Sequence, residues 1–266
     1  MKATVFLGGG RITSALVAGL RFAGYDRPIV VHDRHSSKLH ELKRQYAVIA
    51  EPDLSVAVES AHLLIMAVRS DSVRELLKEI HSCDIRGMTV VSLAAGIPLV
   101  TLRAALGRSV QSVRAMPSPV CRSQQGLTAL TFGRGLSPAA RAEVRALFAL
   151  IGAVVEIPEK QFDAFTVTFS SSHGYHALAA LIQAAAIHGL DRKIACLAAA
   201  HAFCDGIASW RAGKLSLENL LQEAATPGGT AAAVIASLDS AGYQRMVETA
   251  LRAGIRQARK NSNLVA

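Results

Sequence analysis

The first 160 residues alternate between short apolar runs and longer segments with a helical period. Four runs, ATVFLG, PIVVHD, HLLIMAV and MTVVSLA, are typical of strands because turn residues bound them and β-branched residues enrich them. Segments such as SSKLHELKRQY and DSVRELLKEI have the 3.6-residue periodicity of amphipathic helices. Strands that are apolar on both faces and alternate with helices indicate right-handed βαβ units. We therefore predict an α/β fold with an N-terminal Rossmann-type doubly wound parallel sheet.

A second pattern begins near Gln161, where Ala-rich helical stretches replace the alternation. The sequence TPGG at 226–229 interrupts two of these stretches. We predict a dinucleotide-binding domain over residues 1–160 and an all-α domain over residues 161–266. Since such a small helical domain cannot bury its own apolar faces, we expect it to dimerise.

Composition and charge narrow the class of protein. The chain has 266 residues, of which 51% are hydrophobic and 18% charged, so a sizeable core is expected. Its apolar runs are interrupted before the roughly 20 residues that span a bilayer, and the N-terminus lacks a signal-peptide cleavage pattern. We expect a cytoplasmic protein without membrane binding. The net charge of +9 is spread along the chain, which argues against nucleic acid and favours small anions.

The four cysteines, Cys83, Cys121, Cys196 and Cys204, form no CxxC pair. They also lack a flanking histidine at metal-ligand spacing. We therefore expect reduced, mostly buried thiols and no metal site.

The segment VFLGGGRITSALVAGL places glycines where the first strand meets the first helix. Gly8 permits a tight turn, and Gly10 lets the backbone approach a pyrophosphate at the helix N-terminus. Thr13 takes the third position of the G-x-G-x-x-[G/A] pattern, where close packing normally favours Gly or Ala. In a βαβ unit this loop predicts dinucleotide binding, and the alternative is a tight turn without a ligand.

The segment HDRHSSK follows the second predicted strand and bears on cofactor choice. An acidic side chain such as Asp33 normally accepts from the ribose 2′-hydroxyl of NAD. Arg34, Ser36 and Lys38 instead suit a 2′-phosphate, so together they favour NADPH, with NADH as the alternative. We also expect Ser36 or Ser37 to cap the next helix.

Six segments, FLGGGRITSAL, MAVRSDSV, SLAAGIPLVTL, VRAMPSP, GLTAL and TPGGTAA, stand in an order and spacing that resemble the pyrroline-5-carboxylate reductase family. The resemblance covers essentially the whole chain. It implies hydride transfer from NAD(P)H to a cyclic imine, the last step of proline synthesis. It also implies a Rossmann domain and a helical domain that intertwines with its twin in a homodimer, often assembled further.

The resemblance assigns roles to individual residues. It implies a cofactor site made of Gly8, Gly9, Gly10, Arg11, Ile12, Arg34, His35, Ser36, Ala67, Val68, Arg69 and Ala95. It implies a substrate site, in which loops of the helical domain hold the carboxylate, made of Ser118, Ser171, Ser172, Thr226, Gly228, Gly229 and Thr230. His173 and Tyr175 are the candidate catalytic side chains, and the family motif at this place also ends in Tyr.

Departures from the family pattern cluster at the substrate end. Ser118 and Pro119 stand where the family has Asn-Thr-Pro, and Ala231 replaces a substrate-contacting Thr. The stretch from Phe169 to Tyr175 reads FSSSHGY where the family reads SGSGPAY. Losing one hydroxyl removes about 0.5–1.5 kcal/mol of hydrogen bonding, so the changes indicate a relative with another substrate ring.

The stretch FSSSHGY leaves the role of His173 open. In one interpretation the serines 170–172 cap a helix that begins near Tyr175, and His173 is a neutral loop residue. In the other, the N–H groups of this helix start hold the substrate carboxylate and His173 donates a proton to the imine. An imine basic enough to arrive protonated needs no such donor.

Three functions fit the sequence. The first is an NAD(P)H-dependent reductase of pyrroline-5-carboxylate or a related cyclic imino acid. The second is an NADP-binding sensor or regulatory protein with a degraded site, against which the retained TPGG and the full helical domain argue. The third, a β-hydroxyacid dehydrogenase, normally carries a Lys-containing catalytic motif in its helical domain, and this chain has none.

Overall fold

The computed structural model describes residues 2–213 and 215–263. The chain divides into two compact units. We call residues Met1–Val167 with Ala253–Ala266 the sheet unit, and residues Thr168–Arg252 the helical unit. This division is one of packing, and the functional domains expected over 1–160 and 161–266 stay a prediction.

The sheet unit contains eight strands and the first seven helices. Its strands are β1 (Ala3–Leu7), β2 (Ile29–His32), β3 (Ile49–Ala50), β4 (Ala61–Met66), β5 (Thr89–Ser92), β6 (Gln111–Pro117), β7 (Gly126–Phe132) and β8 (Gly152–Glu156). Its helices are α1 (Arg11–Phe22), α2 (Ser36–Tyr46), α3 (Leu54–Glu59), α4 (Val73–Ile80), α5 (Leu99–Leu106), α6 (Pro138–Ala149) and α7 (Glu159–Thr168), whose last residue belongs to the helical unit.

The eight strands form one sheet in the order β3-β2-β1-β4-β5-β6-β7-β8. β1 pairs in parallel with β2 on one side and with β4 on the other. The order turns back on itself at β1, which is the topological switch point of a doubly wound fold. The predicted Rossmann-type sheet is confirmed, with one difference: β7 runs antiparallel to β6. The short link from Ser118 to Gln125 explains this, because a parallel crossover needs a dozen or more residues.

Both faces of the sheet are covered. Phe6 packs into one apolar cluster with residues of α1, α2 and α6. Its neighbours Val5 and Leu7 point the other way, into a second cluster with residues of α3, α4 and α5. This alternation explains why β1 has apolar residues at neighbouring positions that face opposite sides of the sheet.

The helical unit consists of α8 (Ser172–Ile187), α9 (Arg192–Ala212), α10 (Leu217–Ala224), α11 (Thr230–Ser240) and the first part of α12 (Tyr243–Ser262). α8 packs against α9. Among the residues of this unit that the structure describes, only Ala195 and Ala199 are buried. The unit therefore has almost no core of its own within one chain.

None of the helices in the described ranges is both long and apolar enough to cross a membrane. Within the same ranges, no group of three His, Cys, Asp or Glu side chains could hold a metal ion.

Candidate cofactor and substrate sites

A cleft of about 460 Å³ opens at the carboxyl ends of β1, β2 and β4. Backbone hydrogen bonds bring the ends together: the Gly8 N–H donates to the His32 carbonyl at 2.7 Å, and the Ala67 N–H donates to the Leu7 carbonyl at 2.8 Å. Such crevices at the switch point are where open α/β sheets bind ligands.

The glycines of the first loop leave the mouth of the cleft clear. Gly8 has φ +109°, and a Cβ there would lie 2.8 Å from the Ala67 carbonyl oxygen. Gly10 is the N-cap of α1 without a side-chain cap, and a Cβ on it would meet open space. The free N–H groups of the first turn of α1 therefore border an unobstructed space suited to an anion.

Thr13, the residue that departs from the dinucleotide-binding pattern, is fully buried. Its hydroxyl donates to the Gly8 carbonyl. Thr13 thus stabilises the glycine turn by a hydrogen bond. Its side chain, larger than the usual Gly or Ala, does not prevent α1 from packing on the sheet.

Asp33 faces the glycine loop. Its Oδ2 accepts from the Gly9 N–H at 2.7 Å, and its Oδ1 accepts from the His35 N–H at 2.8 Å. Burial opposes ionisation of this carboxyl, but the hydrogen bonds from His35, Gly9 and Lys38 prevail and lower its pKa from 3.8 to about 2. Both of its oxygens are thus engaged by the protein itself.

Arg34 lies at the exposed rim of the cleft. Its guanidinium pairs with Glu75 Oε2 at 3.1 Å and with Glu79 Oε1 at 3.3 Å. The hydrogen bond that Arg34 donates to Glu75 and the negative charge of Glu79 raise the pKa of Arg34 above its usual value. The cation is therefore held between two carboxylates of α4.

Helix α2 begins at Ser36 with His35 as its N-cap, so the expectation that Ser36 or Ser37 caps it is wrong. The helix has no side-chain cap, and Asp33 instead holds the turn before it by accepting from the His35 N–H. Lys38 Nζ lies 3.3 Å from Asp33 Oδ2.

The structure brings most of the predicted cofactor residues to one cleft. Its lining includes Gly8, Gly10, Arg11, Arg34, His35, Ala67, Val68 and Arg69. Gly9, Ile12, Ser36 and Ala95 lie outside this lining: Gly9 bonds Asp33, Ile12 packs against the core, and Ser36 opens α2.

Ala95 belongs to a turn held by the end of the chain. Its carbonyl accepts from Ser70 Oγ at 2.7 Å and from Asn261 Nδ2 at 3.3 Å. The next residue, Gly96, has φ +80°, and a Cβ on it would overlap the Ala258 carbonyl. The turn at residues 94–96 thus requires a glycine at position 96 in order to pack against α12.

The candidate substrate stretch forms a helix start. α8 begins at Ser172, so the expected start near Tyr175 is wrong and His173 lies in the first turn. Ser170 Oγ is 2.7 Å from Ser172 Oγ and accepts from the Ser172 N–H at 3.4 Å. This turn of serines extends the helix backwards, although Ser and Gly have low helix propensity.

Ser171 is the N-cap of α8, but its side chain makes no capping hydrogen bond. The expectation that serines 170–172 all cap this helix is therefore wrong for Ser171. Tyr175 is 71% exposed within one chain. Ser171, Ser172 and Tyr175 thus present polar groups at the surface of this helix start.

The second candidate loop, 226–230, forms a tight turn before α11. The Gly229 N–H donates to the Thr226 carbonyl at 2.9 Å. Gly228 has φ +76°, and a Cβ on Gly229 would lie 2.9 Å from the same carbonyl oxygen. Gly229 is the N-cap of α11 without a side-chain cap, and Thr230 is the first helical residue. Both glycines are thus required by the backbone.

Ser118 lies just beyond the carboxyl end of β6 and is buried. It caps a short 3-10 turn, and its Oγ accepts from the Val120 N–H at 3.3 Å. The hydroxyl proton stays available to donate.

The cysteines differ from expectation. Cys121 is buried, and burial raises the pKa of its thiol to about 11. Cys83 is half-buried, whereas Cys196 and Cys204 are exposed within one chain, so the expectation of mostly buried thiols is wrong. The two exposed cysteines lie on α9, in the unit that has almost no core of its own.

Comparisons with known proteins agree with this geometry. Residues 159–261 match a family model described as pyrroline-5-carboxylate reductase dimerisation. Residues 4–96 match a model described as NADP oxidoreductase, coenzyme F420-dependent. The pyrroline-5-carboxylate reductase of Corynebacterium melassecola is 31% identical over 252 residues, which cover 92% of this chain and 93% of that protein. The chain belongs to the pyrroline-5-carboxylate reductase family.

Other members of the family extend the similarity. The enzyme of Mycobacterium tuberculosis is 29% identical over 95% of this chain and 94% of its own. The solved structure from Coxiella burnetii has a TM-score of 0.86 at 25% identity and covers 98% of both chains. A Plasmodium falciparum pyrroline carboxylate reductase, solved with NADP bound, has a TM-score of 0.88 at 18% identity, covers 98% of both chains and shares the fold.

The sequence reasoning missed the two carboxylates that hold Arg34. Glu75 and Glu79 stand four residues apart on α4 and so share one helix face. The spacing of the two glutamates is visible in the sequence. Their pairing with Arg34 at the end of β2 depends on the order of the strands, which the sequence does not show.

Proposed function

We propose that this protein is an NAD(P)H-dependent reductase of a cyclic imine carboxylate, with pyrroline-5-carboxylate to proline as the first candidate reaction. The observation that carries this proposal is the 31% identity to a pyrroline-5-carboxylate reductase along nearly the whole chain. The cleft at the sheet switch point supports it independently. No observation favours the alternative of a degraded sensor.

The cofactor proposed for the cleft is NADPH, with NADH as the alternative. The N–H groups after Gly10 would hold the pyrophosphate, and the loop Ala67–Arg69 would line the opposite wall. Arg34 would meet a 2′-phosphate once it exchanges Glu75 and Glu79 for that group. Asp33 supports this preference, because its carboxylate is occupied by Gly9 and His35 and is withdrawn from a ribose 2′-hydroxyl. When bound, the cofactor supplies the hydride.

The substrate carboxylate is proposed to bind at the helix starts of α8 and α11. Ser171, Ser172, Thr226 and Thr230 would add hydroxyl donors to backbone N–H groups of these helix starts, and Ser118 is proposed as a further hydroxyl donor. Gly228 and Gly229 would keep the backbone of the second turn accessible. Tyr175 is proposed as a further substrate contact.

The role proposed for His173 is to protonate the imine nitrogen. His173→Asn should lower turnover by about 10² if it is the donor, and by little if the imine arrives protonated. The pH profile separates the two: a donor histidine gives a rate that falls above its pKa, and the variant loses this fall. An unchanged rate and profile would assign His173 a structural role.

We also propose a homodimer or higher homo-oligomer in the cytoplasm. The exposed apolar helices of the helical unit and the dimerisation model matched by residues 159–261 support self-association. The four free cysteines suit a reducing compartment.

Steady-state rates with a panel of imines test the proposed function. The panel is pyrroline-5-carboxylate, pyrroline-2-carboxylate, piperideine carboxylates and thiazoline carboxylates, each with NADPH and with NADH. We expect one ring to be reduced at an enzymatic rate, faster with NADPH. Binding of NADPH, seen by fluorescence quenching, without turnover of any imine would favour the sensor.

A further inference from the structure

A second cleft, which we call the α5 cleft, opens on the sheet unit away from the cofactor residues. Its volume is about 530 Å³, within the range of small-molecule sites. Its polar lining consists of Arg103, Ser112, Thr131, Arg134 and Glu159. It shares no lining residue with the cofactor cleft.

The charges of the α5 cleft leave a positive excess. Neither Arg103 nor Arg134 has an ion pair or hydrogen bond from its side chain to the residues that the structure describes. The carboxylate of Glu159, in contrast, is compensated: its Oε1 accepts from the Leu99 N–H at 2.6 Å and lies 3.4 Å from the Arg114 guanidinium. Two uncompensated guanidinium groups on one concave surface favour an anion.

The floor of the α5 cleft carries unused hydroxyl groups. Ser112 on β6 is 6% exposed, and its Oγ is buried without a hydrogen-bond partner among the described residues. Thr131 on β7 is equally buried, and its hydroxyl makes no hydrogen bond within the same residues. A buried hydroxyl without a partner costs free energy in the absence of a ligand, so the Ser112 hydroxyl indicates a polar occupant.

The register of the sheet places both hydroxyls on one face. Arg114 pairs with Thr131 in the antiparallel ladder of β6 and β7, and Ser112 is two residues from Arg114 on the same face. Gly133 continues this face without a side chain, and a Cβ there would lie 2.7 Å from the Ser112 carbonyl oxygen. Gly133 therefore allows the close approach of its backbone to that of Ser112.

The remaining wall of the cleft is apolar. Leu99, Val100 and Pro158 are part of this lining, and Val100 is 72% exposed. We propose that the α5 cleft binds a small organic anion, in which a carboxylate or phosphate meets Arg103 and Arg134 and an apolar body covers Val100. This site goes beyond the proposed reductase function and does not depend on it.

Benzoate is the probe for this proposal, with acetate as the anion without an apolar body and benzyl alcohol as the body without a charge. Calorimetric titration of the intact protein without nicotinamide should show benzoate binding at least about tenfold more tightly than either control. The double variant R103A/R134A should weaken benzoate by at least about tenfold, or about 1.4 kcal/mol. R108A, an exposed arginine outside the cleft, should bind as the wild type does.

Two outcomes of this titration overturn the proposal. One is equal benzoate affinity in the wild type and R103A/R134A, which would place benzoate elsewhere, including the proposed substrate site. The other is no binding up to about 20 mM, a concentration at which even millimolar affinities are detected. The reductase assay is separate, so failure here leaves the proposed function standing, and the reverse also holds.

Two conservative variants test the floor. S112A and T131V each remove one hydroxyl and should weaken benzoate severalfold. S112A should keep or raise the Tm of the ligand-free protein, because it removes an unpartnered buried group. Wild-type benzoate affinity in both variants would overturn the assignment of the hydroxyls to the ligand.

Discussion

The sheet unit and the helical unit differ in how much of their structure one chain completes. In the sheet unit, apolar side chains fill clusters on both faces of an eight-stranded sheet. In the described part of the helical unit, α8, α10 and α11 bury no side chain, and α9 buries two alanines. The sheet unit therefore forms its own hydrophobic core, whereas the helical unit depends on packing against a surface outside the unit.

The largest expected effect tests this dependence directly. Leu197 of α9 is 62% exposed within one chain, and Leu197→Glu should weaken self-association by about 10²-fold or more, because it places a charge in an apolar contact. Phe22→Glu in α1 is the matched control, since Phe22 is 74% exposed but belongs to the sheet unit. Sedimentation equilibrium measures both. Identical masses for the two variants at every concentration would contradict the comparison.

A second prediction concerns the self-contained unit. Gly8→Ala should weaken NADPH binding by about 10²-fold, because the loop must move when a Cβ meets the Ala67 carbonyl. Gly24→Ala is the control: Gly24 has φ +76° but open space around it, so this variant should lose about 1 kcal/mol of stability and keep its NADPH affinity. Fluorescence titration decides. Equal NADPH affinities in the two variants would contradict a specific role of Gly8 in cofactor binding.

A third prediction sharpens the picture of the rim of the cofactor cleft. Arg34→Ala should raise the Kd for NADPH about tenfold and leave that for NADH nearly unchanged, because a guanidinium matches a 2′-phosphate. Glu79→Gln should tighten NADPH binding severalfold, since it frees Arg34 from one partner. Arg27→Ala, which breaks a comparable surface pair with Glu143, should change neither Kd. An equal effect of Arg34→Ala on both cofactors would refute the assigned role.

The smallest expected effect is the pH dependence of the glycine loop. The folded-state pKa of Asp33, about 2, lies below its ordinary value of 3.8. The ionised carboxylate therefore stabilises the fold above the ordinary pKa, and this contribution is lost as the pH falls towards 2. Denaturation at pH 5 and pH 2 should show a loss of about 1 kcal/mol in the wild type that Asp33→Asn lacks, after allowing for solvent screening. Parallel losses in both proteins would assign the acid sensitivity to other carboxyls.

The glycine loop shows what sequence reasoning can reach. Gly8 and Gly10 were assigned to a turn and an approach to phosphate, and the structure gives Gly8 a positive φ and Gly10 an open N-cap. Both properties are local, because they depend on the next few residues and on the helix that follows. The start of α8 shows the opposite case: the capping preference of serine predicts a start near Tyr175, whereas the helix begins at Ser172, where serine side chains contact each other.

By itself the sequence determined the period of each element, the strand-helix alternation and the motifs that mark the family. These features depend on residues close together in the chain, so the spacing of residue types is enough to predict them. Only the tertiary structure decided that β7 runs antiparallel to β6, that Asp33 turns to Gly9, and that Arg34 meets α4. It also brought Ser112 and Thr131, which share one face of the sheet, into one cleft with Arg103 and Arg134. Such arrangements join residues far apart in the chain, and strand order and register set them, which no short window of sequence contains.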